Sequence, residues 1–266
     1  MAKDFKNKVI WITGASSGIG EALALAISHM NARLILSARR EEELNRVKGN
    51  CAEGCEIEIL LLDLSDSDSL ESKTKEAESL FGQVDILVNN GGISQRDKVI
   101  GTSMSVQRDV MEVNYFGAIA LTKYTLPSMV KRKSGHQVVI SSAMGILSVP
   151  GRSAYAASKH ALHGWYDALR SEYHDDNIKV SLICPGYVNT KISYNALLGD
   201  GAVQKSVDKE HTTGMTPEYF AIKAINAILK EKQEVHIGGF LENLGVYAKR
   251  FVPGLYSIMV RKIKPA

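Results

Sequence analysis

Tyr155 and Lys159 stand four residues apart in Ser153-Ala154-Tyr155-Ala156-Ala157-Ser158-Lys159, and residues four apart share one face of a helix. A phenol and an ammonium converging on one ligand can run acid–base chemistry. An unperturbed tyrosine, with a pKa of about 10, is a poor catalyst near neutrality. A nearby cation favours the phenolate and moves that pKa towards working pH. The tyrosine can then give a proton to a carbonyl oxygen while hydride arrives at the carbon. Most Tyr-x-x-x-Lys pairs are surface pairs. This one gains weight from Ser142, thirteen residues earlier at the end of an apolar run, where a hydroxyl can hold the same oxygen.

Hydride needs a carrier, and Thr13-Gly14-Ala15-Ser16-Ser17-Gly18-Ile19-Gly20 has the make-up to hold one. It follows the apolar run Val9-Ile10-Trp11-Ile12 and precedes the Ala- and Leu-rich stretch from Glu21 to Met30, the pattern of a buried strand, a glycine turn and a helix start. A dinucleotide pyrophosphate needs backbone N–H groups at a helix N-terminus and no side chain in the way. Gly14, Gly18 and Gly20 supply those conditions, at a Gly-x-x-x-Gly-x-Gly spacing rather than the commoner Gly-x-Gly-x-x-Gly. No Lys-Ser or Lys-Thr follows Gly18, which sets aside the phosphate loop of NTPases. A site selective for NAD carries an acid at the end of the second strand, on the ribose 2′-hydroxyl. Here that stretch is Ser37-Ala38-Arg39-Arg40, with no carboxylate before Glu41. Arginine offers a donor fork suited to a phosphate, so Arg39 and Arg40 point to a 2′-phosphate and hence to NADP(H).

The elements that must position these groups alternate along the chain. Apolar strand-like runs at Arg33–Ser37, Ile57–Leu62, Val84–Val88, Gln137–Ile140 and Lys179–Ile183 are separated by helical patterns at Glu41–Lys48, Ser67–Phe81, Ser103–Arg132 and Ser153–His174. A last helix from Thr216 to Lys230 and a last strand at Glu234–Ile237 complete the series. Such alternation implies parallel βαβ units buried on both faces. In these sheets ligands sit beyond the carboxyl ends of the strands, where Gly14, Arg39, Asp63, Asn90, Ser142 and Pro185-Gly186 all fall. The expectation is one doubly wound domain over residues 1–266, with a substrate loop or lid at about 189–215 and an amphipathic C-terminal segment at about 240–264. With 266 residues, 45% hydrophobic, 23% charged and a net charge of +3, the chain is an ordinary globular protein rather than a nucleic-acid binder. No apolar stretch is long enough to span a bilayer and no secretory signal is apparent. Cys51, Cys55 and Cys184 have no metal-ligand spacing and read as free thiols, with no metal expected. His136, His160 and His163 read as core or surface residues without a nucleophile or metal partner, and Trp165 and Tyr166 as packing or subunit contacts.

Taken together, Thr13-Gly14-x-x-x-Gly18-x-Gly20, Asn89-Asn90-Gly91-Gly92, Asn114, Ser142, Tyr155-x-x-x-Lys159 and Pro185-Gly186 resemble the classical short-chain dehydrogenase/reductase family, in order and at its spacing from about Lys8 to Thr190. The resemblance implies a Rossmann fold with a single parallel sheet of about seven strands flanked by helices. It implies Tyr155 as general acid or base, Lys159 lowering its pKa and holding the nicotinamide ribose, Ser142 orienting the carbonyl and Asn114 holding a relay water. It implies cofactor contacts from Gly14, Ser16, Ser17, Gly18, Ile19 and Gly20, with Asp63 and Leu64 bordering the adenine. Asn90 and Gly91 would lie along the cofactor, and Pro185, Gly186, Val188 and Thr190 around the nicotinamide end. Gly92 stands where many members have alanine.

Within the family, Met111–Gly117, Pro127–Arg132 and Arg152–Ala161 are similar to the membrane-associated member 7 dehydrogenase/reductase group. That group is broadly similar to the 11-beta-hydroxysteroid dehydrogenases and suggests lipophilic carbonyls such as steroids or retinoids. Its members carry an N-terminal anchor that this sequence lacks, so a cytoplasmic, membrane-associable protein is expected. The family likeness suggests a homodimer or homotetramer. Phe240 to Lys264 interleaves apolar residues with Lys249, Arg250, Arg261, Lys262 and Lys264. Such a segment either lies on a membrane surface or, the favoured expectation, packs on the domain or a partner subunit. An NAD-linked alcohol dehydrogenase and a cofactor-binding protein without turnover are the rival readings. Epimerases and dehydratases of related fold also stay open, though they usually carry a larger C-terminal domain.

Overall fold

A computed structural model describes residues 4–263; Met1 to Lys3 and Lys264 to Ala266 lie outside the described residues. Seven strands, β1 (Val9–Thr13), β2 (Arg33–Ala38), β3 (Ile57–Leu61), β4 (Ile86–Asn89), β5 (Gly135–Ile140), β6 (Ile178–Pro185) and β7 (Glu234–Ile237), form one sheet in the order β3-β2-β1-β4-β5-β6-β7. Every neighbouring pair is parallel. The chain order reverses between β1 and β4, which opens the crevice in which such folds bind dinucleotides.

The strands stay buried on both sides because their alternate residues feed two cores. Ile10, Ile12, Leu34, Leu36, Val88 and Ile140 pack with α1 (Gly18–Ser28) and α8 (Pro217–Leu229). Val9, Trp11, Ile35, Leu87 and Val139 pack on the opposite face with α3 (Leu70–Phe81), α5 (Gly117–Lys131) and α6 (Ser153–Glu172). Period-two alternation with both faces apolar is the signature of such a sheet. Trp11 is fully buried, and its indole N–H donates to Ser37 Oγ at 2.8 Å, which satisfies its one polar atom.

The long helical pattern at 103–132 is not one helix. α4 (Met104–Met111) passes through a π-helical turn, Glu112–Phe116, into α5. Asn114 lies in that turn. A π turn inserts extra backbone without breaking the helix and commonly marks a functional site. The segment 189–215 holds only the short α7 (Lys209–Thr212) and isolated bridges, Leu197 with Gln95 and Val203, and Val188 with Met215.

The C-terminal segment forms α9 (Phe240–Phe251) and α10 (Pro253–Val260). The favoured expectation is packing on the domain or a partner subunit, and the structure shows a packed side, where Val246, Ala248 and Tyr256 bury with Leu147, and an exposed one. Phe240, Leu244, Tyr247 and Phe251 recur at helical spacing on one stripe of α9, and that stripe is exposed, 80% at Phe240 and 74% at Phe251. The side of α9 that meets the domain presents Val246, Ala248 and Glu242. Leu255, Ile258 and Met259 of α10 are exposed as well. Among the described residues no helix is long and apolar enough to cross a membrane.

Candidate active site

The turn from β1 into α1 is made by glycines because nothing else fits. Gly14 and Gly18 adopt φ of +65° and +59°, the left-handed region that disfavours a Cβ. A Cβ on Gly14 would stand 2.8 Å from Gly91 Cα, and one on Gly20 would overlap the Gly14 carbonyl. The Asn89-Asn90-Gly91 end of β4 is tied to this turn. Asn90 Nδ2 donates to the carbonyls of Thr13 at 2.9 Å and Gly14 at 3.3 Å, and the N–H groups of Asn90 and Gly91 both donate to Thr13 Oγ1 at 3.0 Å. Ser17, the N-cap of α1, is extended and its hydroxyl caps no backbone N–H, so the first amides of the helix are left for an anion. Ser16 and Ile19 line the same cleft.

At the end of β2 the exposed Arg39 and Arg40 flank that cleft, with Arg40 Nη2 donating to Ser16 Oγ at 3.4 Å. Asp63 and Leu64 form the opposite lip after β3. Burial pushes the Asp63 carboxyl up, but two hydrogen bonds from Ser65 and the Arg39 charge outweigh it and hold it below the usual range. Arg46, which sequence reasoning passed over, braces the glycine turn from outside the cleft. It pairs with Glu21 at 2.7 Å and donates to the Ser16 carbonyl at 3.4 Å.

The structure brings Tyr155, Lys159 and Ser142 to one wall of the same cavity, whose volume is ≈ 1160 Å³. Ser142 caps a single 3-10 turn, Ala143–Gly145, through Met144 N–H donating to its Oγ at 3.1 Å, and its hydroxyl acts on the Tyr155 phenol. Burial pushes the Tyr155 phenol above the ordinary tyrosine value, against the pull of the Ser142 hydrogen bond and of the Arg152 guanidinium. Lys159, the cation that the helical spacing offers for this pull, is placed differently. Its Nζ stands 5.8 Å from the Tyr155 ring centroid and donates to the Ile140 carbonyl at 2.9 Å, and burial lowers it to about 8.

Asn114 makes three hydrogen bonds: Oδ1 accepts from Ile93 N–H at 2.8 Å, and Nδ2 donates to Ile93 O and Ser158 Oγ, both at 2.9 Å, which leaves one acceptor position on Oδ1. This also gives Gly92 a reason, since a Cβ there would come 3.0 Å from Asn114 Oδ1.

The far end of the cavity is closed by the segment after β6. Gly186 N–H donates to Ile237 O at 2.9 Å, and Tyr187 N–H donates to Glu242 Oε1 at 2.7 Å. A Cβ on Gly186 would meet the Glu242 carboxylate. Glu242 was missed at the sequence level because α9 approaches from 55 residues away. Pro185, Val188 and Thr190 line the cavity, and Thr190 packs over Gly18, whose Cβ would come 3.1 Å from its Cγ2. Leu147, Val149, Leu241, Leu244, Tyr256 and Met259 make the remaining wall apolar.

His163 takes a half-buried structural place, within the expected core or surface role, but among several polar neighbours. Its Nε2 lies 3.0 Å from Ser141 Oγ and 3.7 Å from Cys184 Sγ, and its Nδ1 lies 3.6 Å from Glu234. Lys159 and His163 are four residues apart on α6, but His163 is not among the residues that line the cavity. It braces the strand end behind Ser142. Tyr166 behaves as the expected packing residue: it is fully buried, with its hydroxyl bonded to Thr122 and Asn89. The three cysteines are free, and among the described residues no cluster could hold a metal.

The cleft fits a nicotinamide dinucleotide on its own terms. The glycine cradle leaves room that any Cβ would fill, uncapped amides face the pyrophosphate position, and two arginines rather than a carboxylate stand where the adenosine ribose would lie. A family model described as short chain dehydrogenase matches residues 8–198. The chain is 41% identical over 271 residues to a Drosophila melanogaster protein named dehydrogenase/reductase SDR family protein 7-like, covering 98% of this chain and 83% of that one. Among solved structures it is similar to a short-chain dehydrogenase from Streptomyces avermitilis, with 28% identity, a TM-score of 0.82 and coverage of 99% and 100% of the two chains. It is also similar to an alcohol dehydrogenase from the archaeon Thermococcus sibiricus solved with 5-hydroxy-NADP, with 26% identity, a TM-score of 0.75 and coverage of 88% and 97%.

Proposed function

The chain belongs to the short-chain dehydrogenase family, and on that premise we propose that it is an NADP(H)-dependent oxidoreductase that reduces the carbonyl of a lipophilic small molecule, or oxidises the matching alcohol. The observation that carries this reading is one cavity lined at once by the glycine cradle, Arg39 and Arg40, Ser142, Tyr155, Lys159 and an apolar wall. The bound nicotinamide supplies or accepts hydride; everything else is the work of this chain's side chains. Ser142 holds the carbonyl oxygen, Tyr155 gives it a proton in reduction and takes one from the alcohol in oxidation, and the Lys159 ammonium favours the ionised phenol and binds the nicotinamide ribose. Asn114 holds the relay end of the site. Arg39, with Arg40 behind it, pairs with a 2′-phosphate, where a carboxylate would repel it.

The apolar wall formed by Leu147, Leu241, Leu244 and Met259 supports a steroid, retinoid or related ketone or aldehyde as substrate. The outward apolar stripe of α9, with Lys249, Arg250, Arg261 and Lys262 and only Glu242 as an acid between 240 and 263, supports a peripheral membrane contact beside the cavity mouth. Phe116 and Tyr124, exposed next to the elements that carry Asn114, support association into dimers or tetramers.

The test is turnover of NADPH with a panel of steroid, retinoid and quinone carbonyls by wild type and Tyr155→Phe. The expected result is loss of about 10²–10⁴-fold in turnover with NADPH affinity kept. Turnover near wild type in Tyr155→Phe removes the assigned acid.

A further inference from the structure

Beside the cofactor cleft the structure holds a buried ion triad. Asp208, late in the 189–215 segment, places its carboxylate between two arginines. Its Oδ2 accepts from Arg96 Nη2 at 2.7 Å and Nε at 2.9 Å, and from Arg152 Nη2 at 2.7 Å. The side chains are 2% exposed at Arg96 and Asp208 and 8% at Arg152. Asp208 Oδ1 accepts from Gln204 Nε2 at 2.7 Å, and the Asp208 N–H donates to Ser193 Oγ at 3.3 Å. Arg96 is further fixed by Ser94 Oγ at 2.6 Å and the Gln95 carbonyl at 2.9 Å. These partners come from three places: the turn after β4, the substrate segment itself, and the residue that opens α6, one helical turn ahead of Tyr155.

One guanidinium neutralises Asp208. The second is surplus positive charge in a buried site, and such charge is costly unless it has another partner. Arg152 lines the cavity and its charge reaches Tyr155. Among the described residues, Asp109 and Glu112 of the helix packed on α6 also line the cavity, and three further acids near Arg152 are placed as follows. Asp97, which follows Arg96, accepts from the Lys98 N–H and packs against Gly101 and Gly199. Glu242 is held by the N–H groups of Tyr187 and Gly239, and Glu210 is exposed. Tyr187 feels the same arginine, and burial pushes its phenol up. In the same cavity, one helical turn on, the form this charge favours is the ionised phenol of Tyr155.

We propose that Arg152 is a positioning residue with two holds: through Asp208 it fastens the 189–215 segment over the cavity, and through its charge it supports the ionised form of Tyr155, so that one guanidinium couples loop closure to the acid–base group. The proposal rests on the oxidoreductase reading above, and its test separates the two.

The test uses the full chain. NADPH affinity, read by nicotinamide fluorescence, is expected to be unchanged in every variant. In Arg152→Gln the limb of the pH–kcat profile belonging to Tyr155 moves up by about half a pH unit or more, and KM for the carbonyl rises about tenfold. Arg152→Lys, which keeps the charge but not the fork, returns the limb towards wild type while KM stays raised. In Asp208→Asn trypsin cuts at the exposed Lys191 and Lys205 several-fold faster than in wild type, with no upward move of the limb. Should Asp208→Asn fail to fold, Gln204→Ala keeps the ion triad, removes the Oδ1 partner and carries the same trypsin comparison. An unmoved limb in Arg152→Gln, or unchanged trypsin cleavage in the segment variants, overturns the coupling. Absence of NADPH binding and of carbonyl turnover in wild type sinks the oxidoreductase reading instead, and the trypsin result still decides the fastening.

Discussion

Replacing Gly20 by alanine puts a methyl where the structure has no room. The new Cβ would overlap the Gly14 carbonyl and stand 2.6 Å from Asn90 Nδ2. Either the turn or the Asn90 amide must move, and that amide makes two of the four hydrogen bonds that tie the Asn90-Gly91 end of β4 to the turn. Two such bonds are worth about 1 kcal/mol each, and overpacking a filled site costs about 1–3 kcal/mol. Alanine's better helix propensity returns up to about 1 kcal/mol. The net destabilisation is about 2–4 kcal/mol, a fall of about 5–15 °C in Tm for a chain of this size. NADPH affinity falls with it, because the displaced turn is the pyrophosphate cradle. Gly49→Ala is the control. Gly49 ends α2 (Glu41–Gly49) and a Cβ there meets nothing within 4 Å, so its Tm stays at wild type or rises slightly. The assay is a thermal melt of the three proteins without cofactor, followed by NADPH titration. A Gly20→Ala protein that melts with wild type and binds NADPH equally refutes the reasoning.

Ser142→Ala removes the hydroxyl assigned to the carbonyl oxygen; steady-state kinetics are expected to show about 10²-fold lower kcat with NADPH binding unchanged, and an unchanged kcat removes Ser142 from the mechanism. Burial holds His136 at about 4, against an ordinary histidine value of 6.5. The unfolded chain therefore takes up a proton that the folded one refuses, and stability is lost as pH falls from about 6.5 towards 4, up to about 3 kcal/mol. His136→Gln, melted across that range, should show a shallower decline than wild type. Thr216, whose Oγ1 accepts from Tyr219 N–H at the start of α8, should cost about 1 kcal/mol as Thr216→Ala, read as a small drop in Tm.

The sheet and the cradle were legible because they are written locally. Val9–Ile12 is apolar on both faces, the turn after it needs Gly14, Gly18 and Gly20, and the helix follows at once. Tyr155 and Lys159 were legible because helical spacing alone puts them on one face. The π turn at Glu112–Phe116 was not, since the apolar pattern runs through it without a break in period. Arg152 and Asp208 are 56 residues apart, and an isolated acid in a polar loop carries no mark of its buried partners. His163 likewise meets Ser141, Cys184 and Glu234 only through the register of β5, β6 and β7. The amphipathic pattern of α9 shows that an apolar stripe exists but not which way it turns, and here it turns outward.

The central claim is a nicotinamide site that prefers the 2′-phosphate. It is tested most directly by titrating the purified protein with NADPH and NADH, following nicotinamide fluorescence, in wild type and Arg39→Ala. The expected result is tighter binding of NADPH than NADH in wild type, and a loss of about tenfold or more in Arg39→Ala for NADPH alone, the worth of a charge-assisted contact. Preference for NADH, or an equal loss for both cofactors in Arg39→Ala, contradicts the phosphate assignment, and binding of neither contradicts the site itself.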